Sequence, residues 1–442
     1  MAGSVFDSAL YGRLFPAGDV GRLFTDSAEI RAMLLVEGAL AKAQGARGII
    51  PADSAKAIQR AAMEVLIDPA AMAGATATNG VSVPALVTEF RKAMAAPEHA
   101  QFAHWGATSQ DISDSGLMLR LRQGLALIET DLRATLDALA TLAEAHARLP
   151  MPARTYGQHA TPTSFGAVVA GWGNPLLGLL GELDGLRRDC LLVSLSGAAG
   201  TAGALGPEAP ALRADIAAAL NLADPGRSWH ADRTPILRIA DWCVRVTLAL
   251  GKLGEDATEL VMTGIGEIAL GGAGASSTMP QKQNPVAPSV LVALGRQASG
   301  LMATLHGAAM PRHQRDGASW FAEWLCLPQI VLGAAAAVST GKALAQGTTP
   351  APQAMARALS EGLDMIHAEA MSFALTDHLP RPEAQAAVKA LCREALDTQT
   401  PLSALVARDF PQIDAAVFDP SRQLGQAPQE ATAFAAAVRA LI

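Results

Sequence analysis

The feature that most constrains the fold is a regular apolar stripe between residues 117 and 139. Seven apolar residues advance there by steps of four, four, three, four, four and three: Leu117, Leu121, Leu125, Ile128, Leu132, Leu136 and Leu139. This spacing places all seven on one face of a single unbroken helix. The helix is predicted to begin after the Asp114-Ser115-Gly116 segment and to end at Pro150, so it needs partners of similar length to cover its apolar face.

Suitable partners are predicted elsewhere in the central part of the chain. Half of the residues are apolar and only 4% are aromatic, a balance that favours helix over strand. Four further long helices are predicted, separated by loops rich in Gly, Pro and Ser, over residues 164–189, 235–271, 287–310 and 323–345. The sequence therefore predicts an all-α protein with a central bundle of five long helices.

The length of 442 residues favours two or three domains. We place an N-terminal helical domain at residues 1–111, the central long-helix bundle at 112–346 and a C-terminal helical domain at 347–442. Within the first domain, residues 25–49 are predicted to be helical. The segment ATATNGVSVPAL, residues 75–86, is rich in Thr, Asn, Gly and Pro and is predicted to be a loop.

Composition argues against several classes of partner. The formal charge of −7 and the lack of any Lys/Arg cluster argue against nucleic-acid binding. The long apolar segments contain prolines and polar residues, so they are predicted as buried helices and not as membrane spans. The start MAGSVFDSALYGRLF has no secretory pattern, which suggests a cytoplasmic protein. The four cysteines form no CxxC pair and no His/Cys/Asp cluster has ligand spacing, so neither a metal nor an organic cofactor is expected.

Polar segments between the apolar helices are the places where chemistry is expected. HWGATSQD, residues 104–111, precedes the long helix, and its Thr108 and Ser109 offer hydroxyls and backbone amides that suit a carboxylate. The alternative is a simple helix cap. ARTYGQHATP, residues 153–162, contains three potential ligand contacts, Thr155, Gln158 and His159, and a histidine can move a proton near neutral pH. The alternative there is a purely structural histidine.

Two further polar segments lie later in the chain. GASSTMPQKQNP, residues 274–285, combines small residues that let backbone amides converge with the hydroxyl of Ser276 and with Lys282 and Asn284, which can hold substrate oxygens. RHQRDGASWFAEW, residues 312–324, contains Arg315, which suits a carboxylate. Its two tryptophans, Trp320 and Trp324, are expected to pack in the core.

These segments are also recognisable as a set. SSTMPQKQNP resembles the signature loop of the fumarase/aspartase superfamily, G-S-S-x-M-P-x-K-x-N-P, except that Ala275 replaces the leading glycine. HWGATSQD and RTYGQHATP are similar to the two other signature regions and occur in the same order. The resemblance implies an all-α, three-domain fumarase/aspartase-like fold with a central long-helix bundle. It also implies a homotetramer in which subunits share active sites.

Within the superfamily, the chain most resembles the family of 3-carboxy-cis,cis-muconate cycloisomerases. Several segments support this: VEGALAKAQGARGIIP, LSGAAGTAGALG, RHQRDGASWFAEW and LPQ. The likeness implies an intramolecular lyase that adds a carboxylate of a small polycarboxylate substrate across a conjugated double bond. The product would be a carboxymuconolactone, formed during the degradation of aromatic compounds.

The resemblance also implies roles for individual residues. Ser276 would exchange the proton at carbon, Lys282 would hold the activating carboxylate, and His159 is a candidate general acid. Residues expected to bind the substrate are Thr108, Ser109, Thr155, Gln158, Asn284 and Arg315.

Two departures from the superfamily pattern bear on the reaction. The superfamily's acid histidine lies in R-T-H-x-Q, where this chain has Tyr156, and adenylosuccinate lyases carry another histidine where this chain has Asn79. A departing amine benefits from a proton, whereas a departing carboxylate leaves as a stable anion. The sequence therefore favours lactonisation, with another lyase of the superfamily such as adenylosuccinate lyase, or an inactive helical scaffold, as alternatives.

Overall fold

Helices dominate the structure, as the composition predicts. A computed structural model of the chain describes residues 3–272, 274, 275, 279 and 282–442. The helices of these residues are α1 (Gly18–Arg22), α2 (Asp26–Ala46), α3 (Ala52–Glu64), α4 (Pro69–Asn79), α5 (Val83–Met94), α6 (Pro97–Ala100), α7 (Ser109–Ala145), α8 (Phe165–Cys190), α9 (Ala209–Leu220), α10 (Thr234–Leu260), α11 (Val286–Ala308), α12 (Gly317–Gly347), α13 (Pro352–Ser360), α14 (Ala368–Ala374), α15 (Arg381–Thr398), α16 (Leu402–Asp409) and α17 (Ala427–Leu441). The predicted all-α class is confirmed.

The strands are short and pair in three antiparallel ribbons within the described residues. They are β1 (Pro150–Thr155), β2 (Gln158–Ser164), β3 (Ile268–Leu270), β4 (Gly274–Ala275), β5 (Gln283–Asn284) and β6 (Thr348–Pro350). The pairs are β1 with β2, β3 with β6 and β4 with β5. Two of the three ribbons contain residues of the predicted polar segments: β1 and β2 include part of 153–162, and β4 and β5 include the two ends of 274–285.

All five predicted long helices are present as α7, α8, α10, α11 and α12. Six of the seven residues in the apolar stripe, from Leu121 to Leu139, are at most 1% exposed, which confirms that they share a buried face. The prediction for α10 was too long, because the helix ends at Leu260 and not at residue 271. Gly264 and Gly266 have left-handed backbone angles, with φ of 93° and 59°, so the backbone leaves the helical path before β3.

The prediction of a loop over residues 75–86 was wrong. Helix α4 continues to Asn79 and helix α5 begins at Val83, so only three residues connect them. Gly80 has a left-handed φ of 71° after the end of α4, and Pro84 lies in the first turn of α5. The Asn-Gly and Pro signals therefore mark the end of one helix and the start of the next.

The chain forms two compact units. Unit 1 comprises residues 3–131, 179–248 and 293–339, and unit 2 comprises the described residues of 132–178, 249–292 and 340–442. Within unit 2, helices α14, α15 and α16 share a hydrophobic cluster that includes Met371, Leu391 and Leu405. The three-domain boundaries at 111/112 and 346/347 stay a prediction.

One helix resembles a membrane span in its composition. Helix α12 is long and apolar enough to cross a bilayer, but 67% of its most apolar stretch is buried inside the protein. Core helices of water-soluble bundles have the same length and composition, so this feature is weak evidence for a membrane span.

A close helix contact in unit 2 gives a test of the packing. A Cβ atom added to Gly173 of α8 would lie 2.1 Å from Cζ of Phe434, a buried residue of α17. We expect Gly173→Ala to lower the free energy of unfolding by about 1–3 kcal/mol, because the ring and the helix must move apart. Gly171 of the same helix has open space around it. Gly171→Ala should therefore be neutral or stabilising by up to about 1 kcal/mol in the same urea titration, and equal losses in both variants would contradict this packing.

Candidate active site

The loop before α7 is held by its own carboxylate. The backbone N–H of Thr108 donates to Asp111 Oδ2 over 3.0 Å, and the backbone N–H of Asp111 donates to the carbonyl of Thr108 over 3.0 Å. The contact from the Thr108 N–H to the Asp111 carboxylate is one half of a capping box, with Thr108 in the cap position and Ser109 as the first residue of α7. At the start of the loop, His104 Nδ1 lies 2.6 Å from Oε1 of the buried Glu37. The predicted carboxylate-binding loop therefore has a fixed backbone.

Asp111 does more than cap the helix. Its Oδ1 accepts from the backbone N–H of Ser196 over 2.7 Å, and its Oδ2 accepts from the backbone N–H of Gly197 over 3.0 Å. His230 Nε2 lies 2.9 Å from Oδ1, and the Ser194 hydroxyl donates to the same oxygen over 3.3 Å. Because an ionised carboxylate only accepts, the contact with His230 requires a proton on Nε2. A fully buried carboxylate thus joins three separate segments of unit 1.

A second buried network lies one turn further along α7. Arg233 donates to both oxygens of Asp114 over 2.8 and 3.1 Å, and to both oxygens of Glu323 over 2.7 and 2.8 Å. Its guanidinium also stacks over the ring of Trp229 at 4.9 Å. Burial lowers the pKa of Arg233, but the two carboxylates outweigh that effect and hold the pKa above its usual value. Burial also raises the pKa of Glu323, which Arg233 only partly offsets.

Arg315 lies beside this network and is held differently. Its Nε donates to Oε1 of Gln110 over 2.9 Å, and one of its terminal nitrogens, Nη2, lies 3.4 Å from the Thr108 hydroxyl. Gln110 in turn donates through Nε2 to Asp114 over 3.2 Å and to the carbonyl of His230 over 3.0 Å. The structure therefore brings together two residues that were predicted separately from the sequence, Thr108 and Arg315. Both hydrogen-bond partners of Arg315 among the described residues are neutral.

A guanidinium held by neutral groups next to a helix start suits an anionic ligand. A small void of about 10 Å³, the size of one water molecule, lies against Arg315, Gln110 and Trp320. The void is also lined by Asp316 and Glu323. Unit 1 therefore places the Arg315 guanidinium and the Thr108 hydroxyl together beside the start of α7. Among the described residues, no group of three or more His, Cys, Asp or Glu side chains could hold a metal ion.

The segment 153–162 forms the hairpin of β1 and β2 in unit 2. Thr155 pairs with Gln158 across the turn, and Arg154 pairs with His159. Tyr156 and Gly157 occupy the turn with φ of 54° and 72°, the signs that a type I′ turn requires. Thr155, Gln158 and His159 are all exposed, and Tyr156 is fully so. All three predicted contacts are thus available at one hairpin tip.

A buried ion pair anchors the base of this hairpin. Arg154 donates to both oxygens of Glu267 over 2.8 and 2.6 Å, and the Glu267 side chain is fully buried. A two-pronged charged contact of this kind fixes both the position and the orientation of the strand. The exposed tip is therefore presented on a rigid base.

The signature loop is described only in part. Gly274 pairs with Asn284 and Ala275 with Gln283, so β4 and β5 bring the two ends of the loop together. Lys282 is exposed, and its backbone N–H donates to the carbonyl of Met279 over 3.0 Å. Asn284 is partly buried. Ser276, the predicted proton-transferring residue, lies outside the described residues.

Sequence reasoning missed most of the buried network and was wrong about one tryptophan. His230 and Arg233 lie in the loop before α10, whereas Asp114 belongs to α7 and Glu323 to α12, so no spacing in the sequence connects all four. Trp320 is buried, as predicted, but the side chain of Trp324 is 43% exposed. Asp114, Trp320, Glu323 and Trp324 also line a cavity of about 570 Å³, which is otherwise bounded mainly by apolar residues of α2, α4 and α7. Trp324 therefore forms part of a cavity wall and not of the core.

Comparisons with known proteins agree over nearly the whole chain. A lyase family model matches residues 16–300. The 3-carboxy-cis,cis-muconate cycloisomerase of Pseudomonas aeruginosa is 37% identical over 431 residues, which cover 95% of this chain and 94% of that protein. The nitrosuccinate lyase of Streptomyces davaonensis is 34% identical over 451 residues. The match covers 96% of this chain and 94% of that lyase. The likeness thus extends over all the predicted site segments.

The solved structures give the same result for the fold. The crystal structure of the 3-carboxy-cis,cis-muconate lactonizing enzyme from Pseudomonas putida matches with a TM-score of 0.91 at 34% identity. The match covers 98% of this chain and 100% of that one. The architecture therefore corresponds to the structure of a known lactonizing enzyme along its whole length.

The role of Asp111 as the anchor of the site can be tested by an isosteric change. In Asp111→Asn, either orientation of the amide places its NH₂ group against a backbone N–H, of Ser196 or of Gly197. We expect a loss of about 2–4 kcal/mol in the free energy of unfolding, because buried donors lose a charged acceptor. Asp53→Asn, at an exposed position with a 3.4 Å contact to Lys56, is the control and should change stability by under about 0.5 kcal/mol. Urea unfolding measures both variants, and an unchanged midpoint for Asp111→Asn would show that the network is dispensable.

Proposed function

This chain belongs to the fumarase/aspartase superfamily of lyases, and within it we propose that it is the cycloisomerase that closes 3-carboxy-cis,cis-muconate to a carboxymuconolactone. The observation that carries this proposal is the full-length likeness, in sequence and in fold, to enzymes named for that reaction. The site agrees with a polyanionic substrate, because Arg315 is held by neutral partners and lies beside the start of α7.

The proposed reaction is an isomerisation that needs no co-reactant. A terminal carboxylate oxygen of the substrate forms a bond to an alkene carbon, and the π electrons move to the neighbouring carbon. The resulting carbanion is stabilised as an enolate through its conjugated carboxylate, and it then takes up one proton. Donors that hold this carboxylate act where negative charge develops, which is the most effective place for electrostatic stabilisation.

We assign the proton transfer to Ser276, on the strength of the signature loop that contains it. Lys282 would stabilise the enolate form of the activating carboxylate, with Asn284 as a hydrogen-bond partner. The β4–β5 pairing supports this assignment, since it brings the two ends of that loop together. A serine hydroxyl is a weak acid and a weak base, so it needs a cation such as Lys282 close to its oxygen.

The remaining carboxylates of the substrate would bind to the other two segments. Thr108, Ser109 and Arg315 form the contact in unit 1, and Arg315 is the only cation that we assign to it. Thr155 and Gln158, both exposed at the hairpin tip in unit 2, are proposed as further hydrogen-bond partners.

We further propose a cytoplasmic homotetramer with active sites shared between subunits. Exposed apolar side chains on the long helices support an association of subunits, among them Leu127, Leu248, Val286 and Leu325. The four cysteines are unpaired, as expected in a reducing compartment.

An elimination is the second candidate function. The likeness to nitrosuccinate lyase favours it, because that protein covers this chain as fully as the cycloisomerases do. A substituted succinate would then lose its substituent and a proton to give an alkene. The same Ser276 would act as the base, so this alternative differs in the leaving group and not in the position of the proton-transferring residue.

The assignment of function is tested by following the loss of diene absorbance with 3-carboxy-cis,cis-muconate. We expect turnover by the unmodified protein, and a fall of about a hundredfold or more in Ser276→Ala, because only the proton-transferring group is removed. Ser289→Ala is the matched control, since among the described residues this exposed hydroxyl donates to the carbonyl of Pro285, four residues earlier in the chain. Near-normal turnover in Ser276→Ala would place the proton transfer elsewhere, and no turnover by the unmodified protein would favour the elimination or an inactive scaffold.

The hairpin tip tests the argument from the leaving group. A departing carboxylate needs no proton, so Tyr156→Phe should lower lactonisation by under about tenfold, or roughly 1.4 kcal/mol. The turn itself should be unaffected, because the phenol is fully exposed. His159→Gln keeps a hydrogen-bonding group but removes the titrating one. If steady-state kinetics show a loss of about a thousandfold in His159→Gln, together with the loss of a pH dependence near neutrality, then a general acid lies at His159 and the leaving-group explanation is wrong.

A further inference from the structure

Gln110 connects the anion contact to the buried network. Its side chain is 2% exposed and makes three hydrogen bonds, to Arg315, to Asp114 and to the carbonyl of His230. Arg315 precedes α12 in a loop, whereas the other two partners belong to the interior of unit 1. The amide is therefore the link through which the position of Arg315 depends on the core.

The orientation of this amide is dictated by its partners. An arginine can only donate, so the Gln110 oxygen must face Arg315. A carboxylate and a backbone carbonyl can only accept, so the Gln110 NH₂ group must face Asp114 and His230. Among side chains of this length, only glutamine supplies an acceptor at one side and two donors at the other.

The neutrality of this link has a chemical consequence. Three other arginines of this chain are each paired with carboxylates: Arg233 with Asp114 and Glu323, Arg154 with Glu267, and Arg312 with Asp316. The hydrogen-bond partners of Arg315 in the described part of the chain are an amide and a hydroxyl. The Gln110 amide stands between Arg315 and the Asp114 carboxylate, so the guanidinium is fixed in place without forming an ion pair.

We propose that Gln110 is a positioning residue that holds Arg315 ready for a substrate carboxylate and keeps its charge uncompensated. The identity of the substrate in this inference rests on the proposed function. The action of Gln110 through Arg315 rests on the geometry alone. Substitution of Gln110 should therefore change KM more than it changes kcat.

The main test is a double-mutant cycle with Gln110→Met and Arg315→Met. Gln110→Met keeps the volume but removes the acceptor, so KM for 3-carboxy-cis,cis-muconate should rise about tenfold while kcat changes by under about threefold. Arg315→Met alone should raise KM by about a hundredfold, since a charged contact is lost. Adding Gln110→Met to Arg315→Met should then change KM by under about twofold, because the residue through which Gln110 acts is already gone.

A charged variant tests the requirement for neutrality. Gln110→Glu retains an acceptor for Arg315 but would form an ion pair with it, and it places a second carboxylate next to Asp114. We expect KM to rise by more in Gln110→Glu than in Gln110→Met, by about thirtyfold or more. A KM in Gln110→Glu equal to that of the unmodified enzyme would overturn the proposal, because the charge of Arg315 would then need no neutral partner.

Gln44→Met provides the matched structural control. Gln44 is also a buried glutamine of unit 1, and it donates to the carbonyl of Trp105 over 2.7 Å without contacting Arg315. Gln44→Met should lower thermal stability much as Gln110→Met does, but leave KM within about twofold. An equal rise of KM in both variants, or the same factor for Gln110→Met with and without Arg315, would show that Gln110 is merely structural.

Calorimetric binding of propane-1,2,3-tricarboxylate, a trianion that cannot lactonise, separates this inference from the proposed function. Dissociation constants are measured for Gln110→Met, for Arg315→Met and for the double variant. They should change by the same factors as KM does. If the unmodified enzyme does not turn over 3-carboxy-cis,cis-muconate but the binding cycle shows the coupling, the function is wrong and the positioning role stands. If turnover is present and the coupling is absent from both binding and KM, the positioning role is wrong and the function stands.

Discussion

The site depends on a buried carboxylate, that of Asp111, which accepts hydrogen bonds from three segments of the chain at once. Desolvating an ionised carboxylate costs several kcal/mol unless donors replace the lost water. Backbone N–H groups at Thr108, Ser196 and Gly197, together with the side chains of His230 and Ser194, supply that replacement. The hydrogen bonds that offset the desolvation of Asp111 are therefore the same ones that fix the conformation of the anion-binding loop.

A second charge network extends this order along α7. Asp114 lies three residues beyond Asp111, and through Arg233 it is joined to Glu323 of α12. Two carboxylates around one guanidinium leave an excess of negative charge in the interior. Gln110 contacts this network through a neutral amide, so the excess charge does not reach Arg315 as an ion pair. The side chain of Gln110 alone thus separates the buried ion-pair network from Arg315, the cation proposed to bind substrate.

The sequence predicted the elements better than their connections. A strict apolar period predicted the buried face of α7, since burial of one helix face leaves a regular pattern in the sequence. It did not predict the start, because α7 begins at Ser109 and not after Gly116. The prediction of a loop over residues 75–86 was wrong, because Asn-Gly and Pro are common both in loops and at the ends of helices. Local composition does not distinguish a long loop from a short connection between two helices. Arg233 and Glu323 could not be paired from the sequence, because ninety residues separate them and only the packing of helices brings them together.

The candidate site was predictable as residue types but not as an arrangement. Thr108 and Arg315 were identified separately, and their contact depends on Gln110. Gln110 belongs to the HWGATSQD segment, but nothing in the sequence indicated that this polar side chain would be buried. Tyr156 shows the reverse case. Its replacement of a histidine was visible in the sequence, but its left-handed backbone and full exposure at a hairpin tip were not. Because the Tyr156 side chain is fully exposed, packing within the described part of the chain does not require a phenol at this position.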